Sequence, residues 1–503
     1  LSLLHSFILR ESFMLTLFQK NRQSWSQHLT FKPCNAQAFK TAKAFIAGLV
    51  FVQSSCLLAQ SPSNQPQQTL TLQDTIEIAL SNDEWLIKSE LTQSRLNVLS
   101  EGADAMPDPT FSLSLLNFPT NGFAINQEPM TQIKVGASQM FPRGDSLSLQ
   151  EKKFTLIANE QPYLREERRL NLTQQTTHLW LDAFEASASY QLVNEARPLF
   201  DKLGDIVSAS YASSAGKANQ QDIIRAELEL VRLNDRLISL DTKKRVALST
   251  LSQFLLSTSN NVKYSTYIYQ SKMPPHLDKV DASTIEKLMI LDKHDEQGLY
   301  EFIETHPLID ATEQRVQASN VDIELAKQAY KPQYAVNASY ALRDDAPNGQ
   351  SRADFISIGA SVSVPLFSKK RQDANVAGAK LMTEAIRTEK LLIMRELMSG
   401  LSSAYQQYTG LSERFAIYRD TIVPQMKHQS AAALNAYTND IGDFAEVVRA
   451  KIAELDAQIM LLNIDVSKRK ALSNIDYFSP IRSNTYSSAK ALLQTEKKDN
   501  THD

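Results

Sequence analysis

The sequence predicts a mainly α-helical chain with a membrane β-hairpin region. It is built from two sequential structural repeats whose long helices need partners side by side, as in coiled coils or helical α-barrels. Three observations in its 503 residues carry this reading. A block pattern recurs along the chain, the apolar period switches from 3.6 to 2 and back within each copy, and very long stretches contain no helix breaker except isolated prolines.

The repeat is visible residue by residue. Asp222-Ile-Ile-Arg225-Ala226 matches Glu446-Val-Val-Arg449-Ala450 at an offset of 224 (449 − 225). At the same offset Asp241 meets Asp465, Lys244 meets Lys468 and Arg245 meets Arg469. Upstream, Ala137 and Pro142 match Ala360 and Pro365 at 223 (365 − 142), and Pro107 matches Pro332 at 225 (332 − 107). One matched block of helix is a coincidence that amphipathic sequences allow. Three separated blocks in register mark a duplication, with repeat 1 at 70–257 and repeat 2 at 306–477.

Residues 1–59 read as a signal peptide region: the apolar run Ala44–Val52 follows Lys32, Lys40 and Lys43, and it is too short to span a bilayer as a helix. Cleavage after Ala59 is one expectation; lipidation of Cys56 is the other. Residues 60–69, rich in Gln, Pro and Ser, read as a flexible mature N-terminus. Repeat 1 then opens with a helical stretch over 71–104 (Leu72, Ile76, Ala79, Leu80) that Pro107 and Pro109 stop. Repeat 2 opens with 308–330, stopped by Pro332.

Each opening is followed by period-2 alternation, which predicts strands at 110–118, 131–141, 333–342 and 354–365 with loops at 119–130 and 343–353. Val135, Tyr334, Val336, Tyr340, Ile358 and Val362 share the apolar face, opposite Ser, Gly, Ala and Asn. A soluble sheet packed on a core gives the same alternation. Strands of about 9–11 residues, matched to the hydrocarbon thickness, and a small polar face favour a membrane wall with those six residues toward lipid. Phe118, Phe123, Phe141, Phe355 and Phe367 fit an interfacial girdle. Four strands cannot close a membrane barrel, because open edges in lipid leave backbone groups unsatisfied; three copies supply about twelve.

Long helices follow, over Ser146–Tyr211 and Arg371–Tyr437. Each turns and returns through 220–256 and 444–475, headed by Asn219-x-x-Asp222 and Asp443-x-x-Glu446 as capping boxes. At about 1.5 Å per residue each long helix reaches on the order of 90–100 Å, a length that needs side-by-side partners. Residues 258–305 read as a small equatorial insert and 478–503 as a loosely ordered tail.

Composition excludes other classes. The 53 Lys and Arg against 56 Asp and Glu leave no basic footprint for nucleic acid. Only 14 glycines occur, and phosphate-loop, zinc-protease and nucleophile-elbow motifs are absent. The two cysteines, Cys34 and Cys56, supply no disulfide framework, and the eight histidines never pair at helical spacing. The sequence therefore predicts no catalytic residues, no cofactor and no protein-wide metal site.

Pro332 before the third strand, Val364-Pro365-Leu366-Phe367 after the fourth, Gly216 with Asp222, Ala226 and Leu230, and Gly442-Asp-Phe-Ala-Glu446-Val447 in the second copy recur in this order. With them the chain, over about 70–475, resembles the TolC-like outer-membrane efflux proteins. The resemblance implies a homotrimer with a 12-stranded β-barrel in outer-membrane lipid and a helical shaft in the periplasm. It implies passive export, driven by an inner-membrane resistance-nodulation-division pump through a periplasmic adaptor protein. Met106-Pro-Asp-Pro109, Gln127-Glu-Pro-Met130 and Gln139–Gly144 look like the heavy-metal (cobalt-zinc-cadmium or copper-silver) branch, so metal cations stand beside other toxic small molecules as cargo. The turn at 437–443 is then the periplasmic tip, where Asp440 and Asp443 are gate candidates and ordinary cap chemistry is the competing role. A coiled-coil envelope scaffold without a pore is the alternative function.

Overall fold

A computed structural model describes residues 69–213, 219–256, 273–277, 303–439 and 441–480. The signal region with Cys56, residues 60–68 of the mature N-terminus, most of the insert, Gly216, Asp440 and residues 481–503 of the tail lie outside the described residues, while Phe478 still belongs to the last helix.

Repeat 1 comprises α1 (Leu72–Ser81), α2 (Glu84–Ala103), β1 (Thr110–Leu116), β2 (Gln132–Phe141), α3 (Ser146–Ala212) and α4 (Gln220–Leu255). Repeat 2 comprises α5 (Pro307–Gln328), β3 (Gln333–Leu342), β4 (Phe355–Ser363), α6 (Lys369–Ile417), a π turn (Tyr418–Ile422), α7 (Val423–Thr438) and α8 (Phe444–Phe478). The order repeats as expected, with four local departures. The opening helix of repeat 1 breaks at Asn82-Asp83, where Asp83 caps the Trp85 amide and starts a new helix. β1 stops at Leu116 because Asn117 turns to φ 53, and β4 stops at Ser363, short of Pro365. At the second return helix Asp443 caps the Ala445 amide, but Glu446 pairs with Arg449 instead of closing a reciprocal box.

α3 is the spine. Its 67 residues extend on the order of 100 Å, and α1, α2, α4, α5 and α8 all pack along it. Pro162 and Pro198 sit inside it; each removes one backbone donor, a loss tolerated in a helix held by so many neighbours. In repeat 2 the equivalent length is interrupted by the π turn, immediately before Pro424. A proline ring crowds the carbonyl four residues earlier, and widening the helix by one residue relieves that crowding.

The core lies between helices in three stations. At the middle, Trp180 and Phe184 stack at 5.6 Å among Leu172, Leu181, Leu248 and Val466, and the Trp180 indole donates to the Leu70 carbonyl at 3.0 Å. Toward the helix ends, Phe200, Val207, Leu233, Phe444 and Val448 join the two hairpins α3–α4 and α7–α8. The third station, Ile303, Ile309, Leu401 and Ile475, seats the start of α5.

His306 caps that start. It is fully buried, accepts the Leu308 amide through Nδ1 at 3.2 Å and lies edge-on to Tyr477 at 5.5 Å. Its Nε2 has no hydrogen-bond partner. Burial pushes the imidazole down to about 4. The unfolded chain therefore takes up a proton near pH 6.5 that the fold refuses, and this contribution to stability is complete above 6.5 and drains away as pH falls toward 4. Protonation also destroys the acceptor that caps the helix. Glu160, Glu167 and Glu185, raised mainly by burial, act in the opposite sense. The difference between wild type and His306→Asn, a neutral cap, isolates the histidine. Thermal unfolding at pH 7.5 and 4.5 should show the wild type losing up to about 3 kcal/mol more than the variant; equal losses would remove His306 from the account.

Candidate functional site

Two regions have unusual surfaces: the sheet at one end of the helices and the turn between α7 and α8 at the other. The sheet is antiparallel, in the order β1-β2-β3-β4. Its register puts Leu113, Val135, Tyr340 and Ile356 in one row, and Phe141, Tyr334 and Val362 in another. Directly opposed residues share a face. All six predicted lipid-facing residues, Val135, Tyr334, Val336, Tyr340, Ile358 and Val362, therefore stand on the same side. They are 43 to 84% exposed. Among the described residues no helix packs substantially across either face of the sheet.

This arrangement differs from that of a soluble sheet packed on a core. A soluble half-buried sheet hides its apolar face against a core. Here that face, with Phe111, Leu113, Leu115 and Ile356 added, is bare within the chain. Among the described residues no strand pairs with the outer edges of β1 and β4, which carry free backbone groups.

The opposite face is small and polar. Gly136 leaves room for Ser112, whose Oγ would lie 2.8 Å from an added Cβ, and Gly359 does the same for Asn337 at 2.9 Å. Phe355 pairs with Ala341 and so lies on this face, with Ser357 and Gly359 as the period-2 alternation expects.

The hairpin loops lock together. Arg343 donates to the Pro129 carbonyl at 2.8 Å, and its guanidinium lies 4.6 Å over the Phe355 ring. Arg352 donates to the carbonyls of Asn126 and Glu128, each at 3.3 Å. At the other end of the sheet, Gly144 (φ 51) turns the chain from β2 into α3. There the Arg143 guanidinium donates to the Ala329 carbonyl at 2.8 Å, and Lys331 pairs with Asp145 at 2.7 Å. These latches join the two repeats across separations that no local sequence pattern records.

At the far end, α7 closes with the Ile441 and Gly442 amides both donating to the Ala436 carbonyl at 2.9 Å. Tyr437 meets Phe444 edge-on at 5.8 Å, and Phe444 is buried. Asp443 spends one carboxylate oxygen on the Ala445 amide at 3.2 Å while its side chain stays exposed. Its cap role is thus occupied and its charge remains available to solvent. Ile441 is 85% exposed. Among the described residues no helix is long and apolar enough to cross a membrane, and no cluster of three or more His, Cys, Asp or Glu could hold a metal ion.

Solved structures share this architecture. The outer-membrane channel OprN superposes with a TM-score of 0.65 at 16% identity, covering 81% of this chain and 89% of that one. CusC, described for transmembrane channel formation, gives 0.66 at 13% identity, with 81% and 91% covered. The Campylobacter jejuni CmeC outer membrane channel gives 0.64 at 12% identity, with 83% and 88% covered. The chain has the fold of these channel proteins. No protein-family model matches it, and no curated protein does.

The turn makes a steric demand that can be tested. A Cβ on Gly442 would lie 2.8 Å from the Tyr437 nitrogen and 2.9 Å from the Ala436 carbonyl carbon, both backbone atoms. Gly442→Ala should therefore open the α7–α8 turn at a cost of about 1–3 kcal/mol, read as faster proteolysis near 436–443. Gly378→Ala, with nothing within 4 Å of its Cβ, should leave proteolysis unchanged or slow it.

Proposed function

We propose that the chain is the outer-membrane channel of an efflux system, a passive conduit that exports small toxic solutes to the exterior. The observation that carries this is the bare apolar face and double open edge of a sheet mounted on helices of about 100 Å. Lipid accepts the face, and neighbouring copies accept the edges. A coiled-coil scaffold has no use for either. Nor does the chain present a nucleophile–base pair or a metal cluster among the described residues, and we read it as a conduit rather than an enzyme.

Three copies give about twelve strands, and the helices are suited to stand beside one another. α4 has two apolar stripes on opposite sides. Ala226, Leu233, Leu237, Leu248 and Leu251 are buried within the chain, whereas Ile224, Leu228, Val231, Ile238 and Val246 are exposed on the other side. α2 repeats this division, with Leu86 and Leu96 inside and Ile87, Leu91 and Val98 outside. A helix with two apolar faces belongs between two neighbours. In this reading the trimer forms the helical barrel in the periplasm, and its tip meets a periplasmic adaptor bound to an inner-membrane pump. Metal cations and other small toxic molecules both remain within the cargo class. Exposed Asp443, with Asp440, would line the tip as a ring of carboxylates that raises the local cation concentration.

Envelope fractionation on a sucrose gradient, with unheated gel mobility, tests the assignment: the mature chain should travel with the outer membrane as a trimer. A monodisperse monomer in mild detergent would sink it. Within the sheet, Val362→Arg should cost about 2–4 kcal/mol at mid-bilayer, while Ser361→Arg on the polar face should assemble and alter conductance; equal tolerance would contradict a lipid-facing wall. At the tip, Asp443→Asn keeps the cap, since Asn caps about as well as Asp. Trimer stability should hold while block by trivalent cations from the tip side weakens. Lost stability with block intact would leave Asp443 a structural cap.

A further inference from the structure

The polar face of the sheet is not uniform. The row Ser112, Gly136, Ser339 and Ser357 consists of small residues, and so does the next toward the helices, Ser138, Asn337 and Gly359. One row nearer the loops the pattern changes to Ser114, Lys134, Ala341 and Phe355. Lys134 is the single ionisable side chain in any of the four strands on this face, and Phe355 is its largest ring. Among the described residues the Lys134 ammonium has no ion-pair or hydrogen-bond partner. Arg343 follows β3 on the same side. Its guanidinium is met by the Phe355 ring, the Pro129 carbonyl at 2.8 Å and the Ala353 carbonyl at 3.4 Å, and among the described residues it forms no ion pair within 4 Å. Asp354, which feels the Arg343 charge, spends its oxygens on the Tyr340 hydroxyl at 2.5 Å and the Arg343 amide at 2.8 Å. Asp344, Asp345 and Glu128 lie beyond, in the loops.

We infer that Lys134, backed by Arg343 and edged by Phe355, forms a cationic ring at the narrowest row of the strand wall, and that the channel therefore favours organic anions over free divalent cations as cargo. The inference rests on the channel reading: three copies turn one unpaired lysine into three facing charges. A barrel of about twelve strands lies between small barrels filled by side chains and porins with a wide aqueous lumen, so side-chain size sets the bore. Rows of Ser and Gly leave it open, and the Lys134–Phe355 row narrows it. Low-dielectric walls focus the field of such a ring, and lysine or arginine rings are a physical basis of anion preference in pores. The aromatic ring beside the charge adds a surface for the apolar part of an amphiphilic anion. The acidic tip lies at the opposite end of the path, so the two act in series on opposite signs of charge.

The purified trimer in planar bilayers tests this, with sodium tripolyphosphate or 1-naphthalenesulfonate added on the loop side and hexaamminecobalt as the cation control. Adding blocker on the loop side separates Lys134 from Asp443. Lys134→Gln should raise the half-blocking concentration of tripolyphosphate about ten-fold and move the reversal potential in a KCl gradient toward potassium. Lys134→Arg should keep both wild-type values, and unheated gel mobility should show all variants as trimers. A conducting Lys134→Gln trimer with unchanged block and reversal potential would overturn the inference and leave the channel standing. A wild-type trimer that never conducts would overturn the channel reading, and the inference with it.

Discussion

An antiparallel sheet that ends after four strands leaves a row of backbone donors and acceptors along β1 and another along β4. Water satisfies such groups at an ordinary protein edge. Beside Phe111, Leu113, Ile356 and Ile358, all exposed and apolar, there is no surface that welcomes water. The apolar face asks for lipid, and lipid forbids open edges. In the proposed channel, pairing of β4 with β1 of another copy would meet both demands at once. The rest of the molecule follows from that requirement: copies joined at the sheet must also stand side by side along their helices, which is where α2 and α4 carry their second apolar stripes.

The helices answer a different constraint. α3 serves both repeats, packing on α4 in one and on α5 and α8 in the other. That shared spine makes the duplication one body rather than two domains. At its ends the chain must change direction without exposing backbone, and each reversal has its own device. Gly144 supplies a left-handed residue entering α3, and the two amides on Ala436 close α7. Asp443 starts α8. Along the shaft the ion pairs, such as Arg315 with Glu389 at 3.0 Å, are half-exposed and individually worth little.

Much of the fold was legible because the duplication and the change of period are written in side-chain spacing alone. Element order and strand parity followed from it, and the six outward residues fell on one face. The break at Asn82-Asp83 was invisible in an apolar stripe that continues through it. The Arg343 and Arg352 latches join residues more than two hundred positions apart, and no local pattern records such a contact. Two-faced helices such as α2 also blur the amphipathic signal, since apolar residues on opposite sides cancel. At the tip, Asp443 was legible as a cap from its place before an apolar run, and Gly442 only from the backbone it abuts.

The most direct measurement is cysteine cross-linking between the open strand edges in native membranes. A chain lacking Cys34 and Cys56 carries one cysteine on β1, at Leu113, and a second on β4, scanned through Ile356, Ile358 and Ala360. The account predicts that at least one β4 position gives dimers and then trimers on oxidation, in a ladder that ends at three. Cysteines on β2 and β3, whose edges are both paired within the chain, should give none. Chains that remain monomeric at every β4 position, with both edges freely labelled by a water-soluble maleimide, would contradict it.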